Sequence, residues 1–566
     1  MSNSPGAVPP QPPSFEKRLP IALGLMMVVL LASQYFFKPA PGPKPVEPAN
    51  NKAASQVAKP PVSVPTSPGV PPAGVGGGQI QAGSVSTFTV DTDLYRVTFT
   101  NRGGAVTDWV LKKYQDDAGK PLELIDVSAT NVPPVFAIEI QGQKPAFDPN
   151  TVLYSQKISD GGNTVEFEYS DGRTSIRKSF QFSKDSYRVS VKSVVLENNT
   201  PIPHLMLWRG GFGDQKVHAA ASTQHTVHYD ASASKLITKD AKDAKNGPFS
   251  ETGNFTFGGL EDNFFAAVAL PQENGQLEIR TYSDDVKVPG EDKPTPYVGT
   301  GISTGPQNDF SMFVGPKDID VLRKVHPNLG TIIDWGFFGI LAKPLFLSVN
   351  WVKDHWTNNY GWAIVVVTLI INLLLFPLRI SSLKSARKMQ KLQPQIKAIN
   401  DKYKNVGLRD PKKAEQNQEV MDLYKREGVN PVGGCLPLLI QMPFLYAFYR
   451  CLSIAIELRH APWLWVKDLS APESLPIHLL PIILVVTQFF SQKMTPAAGI
   501  DPNQQKMMLI MPVMFGFMFY YLSSGLVLYY LTGNLVAIAF QLIINRFMPT
   551  PAGPPQKSPV KATVKR

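Results

Sequence analysis

The stretch GWAIVVVTLIINLLLFPL (361–378) decides how the rest of this 566-residue chain is read. It carries no charge and has the length and composition of a helix that crosses a hydrocarbon core. Working outward, apolar runs recur at 434–456, 475–490, 507–522 and 525–545, and another uncharged run lies far upstream at 19–37. The upstream run follows Lys17 and Arg18. It closes on Tyr35, Phe36 and Phe37, where a cleavage site would need small residues, so it reads as a retained anchor with a cytoplasmic N-terminus (1–18). The expected class is mixed: a polytopic α-helical membrane protein of six transmembrane helices, five of them a core at 361–548.

Between anchor and core the composition changes twice. Residues 38–84 are rich in Pro, Gly, Ala and Ser and end near GVGGG (74–78), the makeup of a linker that cannot bury a core. Residues 85–320 hold short alternating runs, such as STFTVDTDLYRVTFT (86–100), NTVEFEYS (163–170), SYRVSVKSVVLE (186–197) and GQLEIRTYS (275–283). Period-2 alternation broken by turn residues predicts a large antiparallel β-sandwich. The region 321–360 is apolar but contains Asp334, Lys343 and Pro344, with Trp335, Trp351 and Trp356 nearby, and reads as an interfacial helix.

Charge fixes the expected orientation. Residues 379–430 hold 13 Lys and Arg against 6 Asp and Glu, and 546–566 holds five basic residues and no acid. Residues 457–475 hold two basic and three acidic residues. The positive-inside rule places the first two segments, including the basic tail 549–566, in the cytoplasm and the third outside with the β-domain. Within 379–430, Met389, Leu392, Ile396, Ile399 and Tyr403 recur at helical spacing, so a hairpin is expected, with its turn at 405–411 and a second helix over 412–427. It reads either as a solvated charged hairpin or as a docking site for a cytosolic partner.

Several function classes fall away. Eighteen per cent charged residues, confined to a few segments, exclude a uniform soluble globule. Two cysteines exclude a disulfide-stapled domain, and Cys435 and Cys451 stand about 24 Å apart if helical. No G-x-S-x-G, H-E-x-x-H, phosphate-binding glycine loop or C-x-x-C occurs, so no catalytic residue, cofactor or metal is expected. His218, His225 and His228 lack the regular spacing of metal ligands. Aromatic residues are not interleaved with basic ones, which argues against a DNA or RNA groove.

What remains is polarity inside the apolar runs. Thr368, Asn372 and Arg379 fall within about 40° of one another on a helix, as do Tyr530, Asn534 and Gln541. Tyr529, Gln441 and Gln488 add to them. Such groups either bond helix to helix or line a hydrated cavity, and contributions from several spans favour the cavity. Arg450 is the one full charge inside the core runs; it either snorkels to the outer interface or charges the cavity. Met507, Met511, Met514 and Met518 recur at 4/3/4 spacing, either as apolar filler or as an adaptable face for varied apolar partners.

These pieces together resemble the YidC/Oxa/Alb family of membrane protein insertases in its Gram-negative form. NPVGGCLPLLIQMPFLYAFY (430–449) is close to the family signature. LQPQIKAI (392–399), IELRHAPWLWVKDLS (456–470), DPNQQKMMLIMP (501–512) and SGLVLYYLTGN (524–534) support it, with weaker matches at NRGGAV (101–106) and FVGPKD (313–318). The resemblance implies a non-enzymatic insertase and chaperone of the inner membrane, with five spans around a hydrophilic groove open to cytoplasm and lipid. Its implied partners are nascent membrane proteins, the Sec translocon, the ribosome and membrane lipids. Thr368 and Tyr530 match family groove positions; Asn372, Gln441, Arg450, Tyr529 and Asn534 complete the expected groove, and the Met face with the third core span forms the expected substrate slide. The family's groove arginine aligns with Asn372, and Arg450 is expected to supply the displaced charge. A secondary transporter would instead show internal repeats, and none is visible. A scaffold whose sandwich binds glycan would leave the intramembrane polar stripes unexplained.

Overall fold

A computed structural model describes residues 78–126, 128–142, 147–214, 223–272, 275–287, 294–403, 410, 412–429, 436–494 and 502–547. The expected anchor at 19–37, the linker up to residue 77, nearly all of the hairpin turn and the basic tail at 549–566 lie outside them.

The alternating runs form antiparallel sheets. A ten-stranded sheet runs, in spatial order, through Lys235–Lys239, His225–Asp230, Phe255–Glu261, Phe265–Pro271, Gln307–Pro316, Arg188–Glu197, Thr174–Phe182, Thr164–Ser170 and Ser155–Ser159, with Thr200–Pro201 paired to Arg188–Glu197. A five-stranded sheet runs through Phe249–Gly253, Leu277–Val286, Thr295–Ser303, His204–Trp208 and Ala137–Ile140. Four strands from Thr87–Asp91 to Pro121–Glu123 complete the region. Inward positions supply an aromatic core: Trp109 lies 5.9 Å from Trp208, and Phe180 lies 5.0 Å from Phe136 and 5.2 Å from Phe99, all fully or nearly fully buried. Burial of each such ring contributes about 1.5–3 kcal/mol.

One inward position departs from the apolar pattern. In Thr174–Phe182 the buried residues alternate as Thr174, Ile176, Lys178, Phe180 and Phe182. Lys178 donates from Nζ to the carbonyls of Gly103 (2.7 Å), Phe136 (2.8 Å) and Gly104 (3.2 Å). Burial lowers its pKa to about 7. A Cβ on Gly103, at φ 70°, would clash with the Asn150 carbonyl, and one on Gly104, at φ 52°, would press on the Phe167 ring, which accounts for the two glycines of NRGGAV.

The β-region hands over to helices through FVGPKD. Lys317 pairs with Glu261 at 2.9 Å and donates to the Asp262 carbonyl at 2.8 Å. Asp318 caps α1 (Ile319–Val325) by accepting from the amides of Asp320 and Val321. The helix α2 (Gly339–Val352) continues to Thr357, turns through left-handed Asn358, and meets α3 (Tyr360–Leu374) at 113°. That bend sets α2 across α3. The helix covers less of it than expected, because 331–338 is not α-helical beyond a short turn at Leu329–Ile332.

The remaining helices are α4 (Phe376–Lys391), α5 (Gln393–Lys402), α6 (Lys412–Arg426), α7 (Leu436–Ile454), α8 (Leu479–Met494), α9 (Pro502–Tyr520) and α10 (Ser524–Phe547). The first core helix stops at Leu374 and α4 restarts at Phe376, so the expected run to 378 is divided; Pro377 in the first turn of α4 suits a helix start. Among the described residues one helix, Ser524–Arg546, is alone long and apolar enough to cross a membrane, while Leu479–Met494 and Ile510–Tyr520 are shorter apolar helices. The hairpin closes on Leu392 and Ile396 of the first arm against Leu423, Tyr424 and Val429 of the second.

Candidate functional site

The polar residues of the apolar helices converge on α10, which faces α3, α7, α8 and α9. Tyr529 is 1 % exposed; its ring stacks on Phe448 of α7 with centroids 4.0 Å apart, and its hydroxyl accepts from Gln441 Nε2 at 2.8 Å. Gln441 Oε1 in turn faces Arg379 Nη2 of α4 at 3.5 Å. Among the described residues no carboxylate lies within ion-pair distance of Arg379. Among the described residues the hydrogen-bond partner of this partly buried cation is the Gln441 amide oxygen, which Tyr529 in turn positions.

On α3, Thr368 and Asn372 are both buried. Thr368 Oγ1 donates to the Ile364 carbonyl at 2.6 Å, and Asn372 Nδ2 donates to the Thr368 carbonyl at 2.7 Å. Asn372 Oδ1 is buried with no hydrogen-bond partner among the described residues. A buried acceptor left unmade costs about 1–3 kcal/mol. Gly533 of α10 lies across from the Asn372 amide.

Other polar groups expected in one groove are separate. Asn534 donates to Thr487 Oγ1 of α8 at 2.9 Å, and Gln541 reaches the Met494 carbonyl at 3.4 Å; both are bonds between helices. Tyr530 stacks on Phe519 of α9 at 5.0 Å. Arg450 pairs with the segment ahead of α2: its guanidinium donates to Asp334 Oδ2 at 2.9 Å and to the Asp334 carbonyl. The charge that joins the cluster is Arg379, which the break after Leu374 redirects toward α7. The sequence pattern pointed to Arg379 only through its phase with Thr368 and Asn372.

Of the Met face, Met514 and Met518 are 65 % and 45 % exposed, and Met511 is half-buried. The side chain of Met507 lies outside the described residues. Ile510, Val513 and Phe517 share their exposure, so over 510–518 the outward surface of α9 is apolar.

The outer end of the bundle is covered by the segment between α7 and α8. Trp463 packs against Gly361, the amides of Ser524 and Gly525 bond the carbonyls of Ala471 and Leu469, and Glu473 accepts from the Leu480 amide at 2.9 Å and from Trp465 Nε1 at 2.7 Å. The same segment docks on the β-domain. Arg459 donates to Asp214 and to the Gln115 carbonyl and lies over the Phe265 ring, while His460 faces Asp117 at 3.2 Å. Burial, with Asp318 and Asp320 adding to it, pushes the neighbouring Glu457 carboxyl up to about 7.

The described residues thus form a bundle of apolar helices with an internal polar cluster, joined to a large β-sandwich at one end. Comparison with known proteins gives the family. Residues 351–551 match the model of the 60Kd inner membrane protein, and residues 87–348 match that of the YidC periplasmic domain. The membrane protein insertase YidC of Geotalea uraniireducens (strain Rf4) is 35 % identical over 556 residues, covering 94 % of this chain and 100 % of the relative. That of Geobacter sp. (strain M21) is 36 % identical over 478 residues, covering 81 % of this chain and 85 % of the relative. A crystal structure of an active YidC insertase aligns over 82 % of this chain and 95 % of that one, at 22 % identity and a TM-score of 0.36. The chain belongs to the YidC membrane protein insertase family, with a periplasmic β-domain and an inner-membrane helical region.

Proposed function

We propose that this chain inserts membrane proteins into the inner membrane, alone or beside the Sec translocon, through a polar groove between α3, α7 and α10. It is not an enzyme; it lowers a solvation barrier. A charge at the bilayer centre costs about 2.5–3.5 kcal/mol on insertion scales, and a hydrated groove part-way across removes much of that. The apolar segment then enters lipid at a gain of about 25 cal/mol per Å².

The observation that carries this reading is the unmet pair at the cluster: Arg379 without a carboxylate among the described residues, and Asn372 Oδ1 without a donor. A polypeptide tail supplies both, an acidic side chain for the first and a backbone amide for the second. Thr368, Gln441, Tyr529 and Tyr530 line the route in this reading. Asn534 supports the wall through Thr487, and Met511, Met514 and Met518 of α9, with Met507 in the same sequence stripe, guide the apolar segment together with α7. The segment packed over the outer helix ends favours a groove closed on that side. Six spans, cytoplasmic termini, and nascent-chain or ribosome contacts through the hairpin and basic tail belong to the same proposal.

The test is a photocrosslinker placed at position 530, and separately at 368, during translation of a small membrane protein. Adducts that disappear once the chain is released and integrated support a transient groove. If neither position yields adducts, the polar residues only bond helix to helix and the groove reading fails.

A further inference from the structure

We propose that α4 carries a binding surface for anionic phospholipid headgroups, formed by Lys384, Lys388 and Lys391 and extended by Lys493 and Arg546. This rests on the reading above that α3, α8 and α10 span the membrane with these ends in the cytoplasm.

The charge is one-signed. Residues 361–400 contain Arg379, Lys384, Arg387, Lys388, Lys391 and Lys397 and no acid, and α8 and α10 contain no acid either. At 100° per residue the three α4 lysines fall within about 60° of one another, and all three are exposed. Among the described residues none of them is paired with a carboxylate. Further along the hairpin the pattern changes: Lys402 pairs with Glu419 at 3.2 Å and Lys425 lies 3.9 Å from Asp422. Those pairs lie on α5 and α6, whereas α4 itself carries no acid.

This helix is also fixed in place. Arg387 Nη2 donates to Asn545 Oδ1 at 2.5 Å, and Phe376 packs on Phe540 with ring centroids 4.4 Å apart, so α4 is held to the end of α10. Gln541 ties α10 to the end of α8 through the Met494 carbonyl. Lys493 and Arg546 are the exposed cations at those two ends.

The choice of occupant follows from what precedes the lysines. Leu373, Leu374 and Leu378 are 64 %, 74 % and 46 % exposed, at the end of α3 and the start of α4. Exposed leucines followed within two turns by exposed lysines match a molecule with an acyl chain below and a phosphate above. Ribosomal RNA offers only the phosphate. Lysines near an anionic leaflet each strengthen attachment about fivefold, and salt screens the effect.

The experiment is hydrogen exchange of the full-length protein in nanodiscs of phosphatidylcholine, with and without added phosphatidylglycerol. Exchange across 376–402 is expected to slow severalfold with the anionic lipid. High salt, or the combined changes Lys384→Gln, Lys388→Gln and Lys391→Gln, should abolish that slowing, while α10 stays equally protected in every disc. Exchange of α4 that ignores lipid charge while α10 is protected overturns the lipid site alone. Slowing that needs ribosomes and not anionic lipid overturns it in favour of RNA. An α10 that exchanges freely in both discs overturns the spanning reading on which the site rests.

Discussion

Arg459, in the segment that covers the outer helix ends, donates into the β-domain at Asp214, and the two side chains are only 5 % and 2 % exposed. The acceptor loop WRGGFGD (208–214) is shaped for this contact. Gly210, Gly211 and Gly213 adopt positive φ, and buried Asp262 accepts from the Asp214 amide at 3.0 Å and from those of Phe264 and Phe265. Burial raises the Asp262 pKa to about 6 even so. The β-domain therefore grips the segment that closes the bundle.

Removing one partner of a buried ion pair strands the other, at about 3–5 kcal/mol, whereas replacing both by apolar groups is often near neutral. Arg459→Met is expected to lower the thermal midpoint of the purified protein sharply. Arg459→Met with Asp214→Leu is expected to recover a large part of that loss. A double-mutant cycle of midpoints checks it, and strictly additive losses would show that the pair does not couple the two regions.

This junction also marks where sequence reading stops. Period-2 alternation exposed the sandwich and apolar runs exposed the helices, because both patterns are local. The register of helix against helix is not local. Thr368 and Asn372 were legible as a stripe, but α3 ends at Leu374, so Arg379 belongs to another helix and points at Gln441. The pairing of Arg450 with Asp334 is not local either, because Asp334 lies 116 residues away in a segment read separately. The bonds of Asn534 to Thr487 and of Gln541 to the Met494 carbonyl likewise join helices whose register no local pattern gives.

Lys178 gives the β-domain an alkaline signature. Its folded pKa of about 7 lies below the ordinary lysine value of 10.5, so between those values the unfolded chain binds more protons. Stability therefore rises with pH from about 7 upward, at no more than about 1.4 kcal/mol per pH unit from this group. Denaturant unfolding of the full chain, followed by β-domain tryptophan fluorescence at pH 7 and pH 9, should give a higher midpoint at pH 9. Lys178→Met should remove that rise while lowering stability at both values, since three carbonyls lose their donor. A wild-type midpoint that falls from pH 7 to pH 9 would contradict the assignment.

The two arginines predict opposite phenotypes. A charge-assisted hydrogen bond contributes about 1.5–3 kcal/mol and a neutral one about 0.5–1.5 kcal/mol, so Arg379→Gln should slow insertion of an acidic-tailed substrate by about tenfold. A substrate with an uncharged tail should be little affected. Arg450→Leu should leave both substrates inserting at similar rates but lower thermal stability, because Asp334 loses its partner. Insertion into proteoliposomes, scored by protease protection, separates these outcomes. Acidic-tail insertion that survives Arg379→Gln and fails in Arg450→Leu would return the charge to Arg450.

Gly361 tests how tightly the outer side is closed. A Cβ placed there would lie 2.2 Å from Trp463 Cγ and Cδ1, and the indole is wedged edge-on against Trp362 with centroids 5.6 Å apart. A rigid ring between two elements has no room to yield, so Gly361→Ala should cost about 1–3 kcal/mol through overpacking. In an open helix the same change would gain up to about 1 kcal/mol, because alanine favours helix over glycine. The sign of the effect thus reports the contact. With Trp463→Ala in the background, Gly361→Ala should become neutral or stabilising in thermal unfolding. If it destabilises equally with and without the indole, Trp463 is not what confines the start of α3, and the closure of the outer end rests on the bonds of Leu469, Ala471 and Glu473 alone.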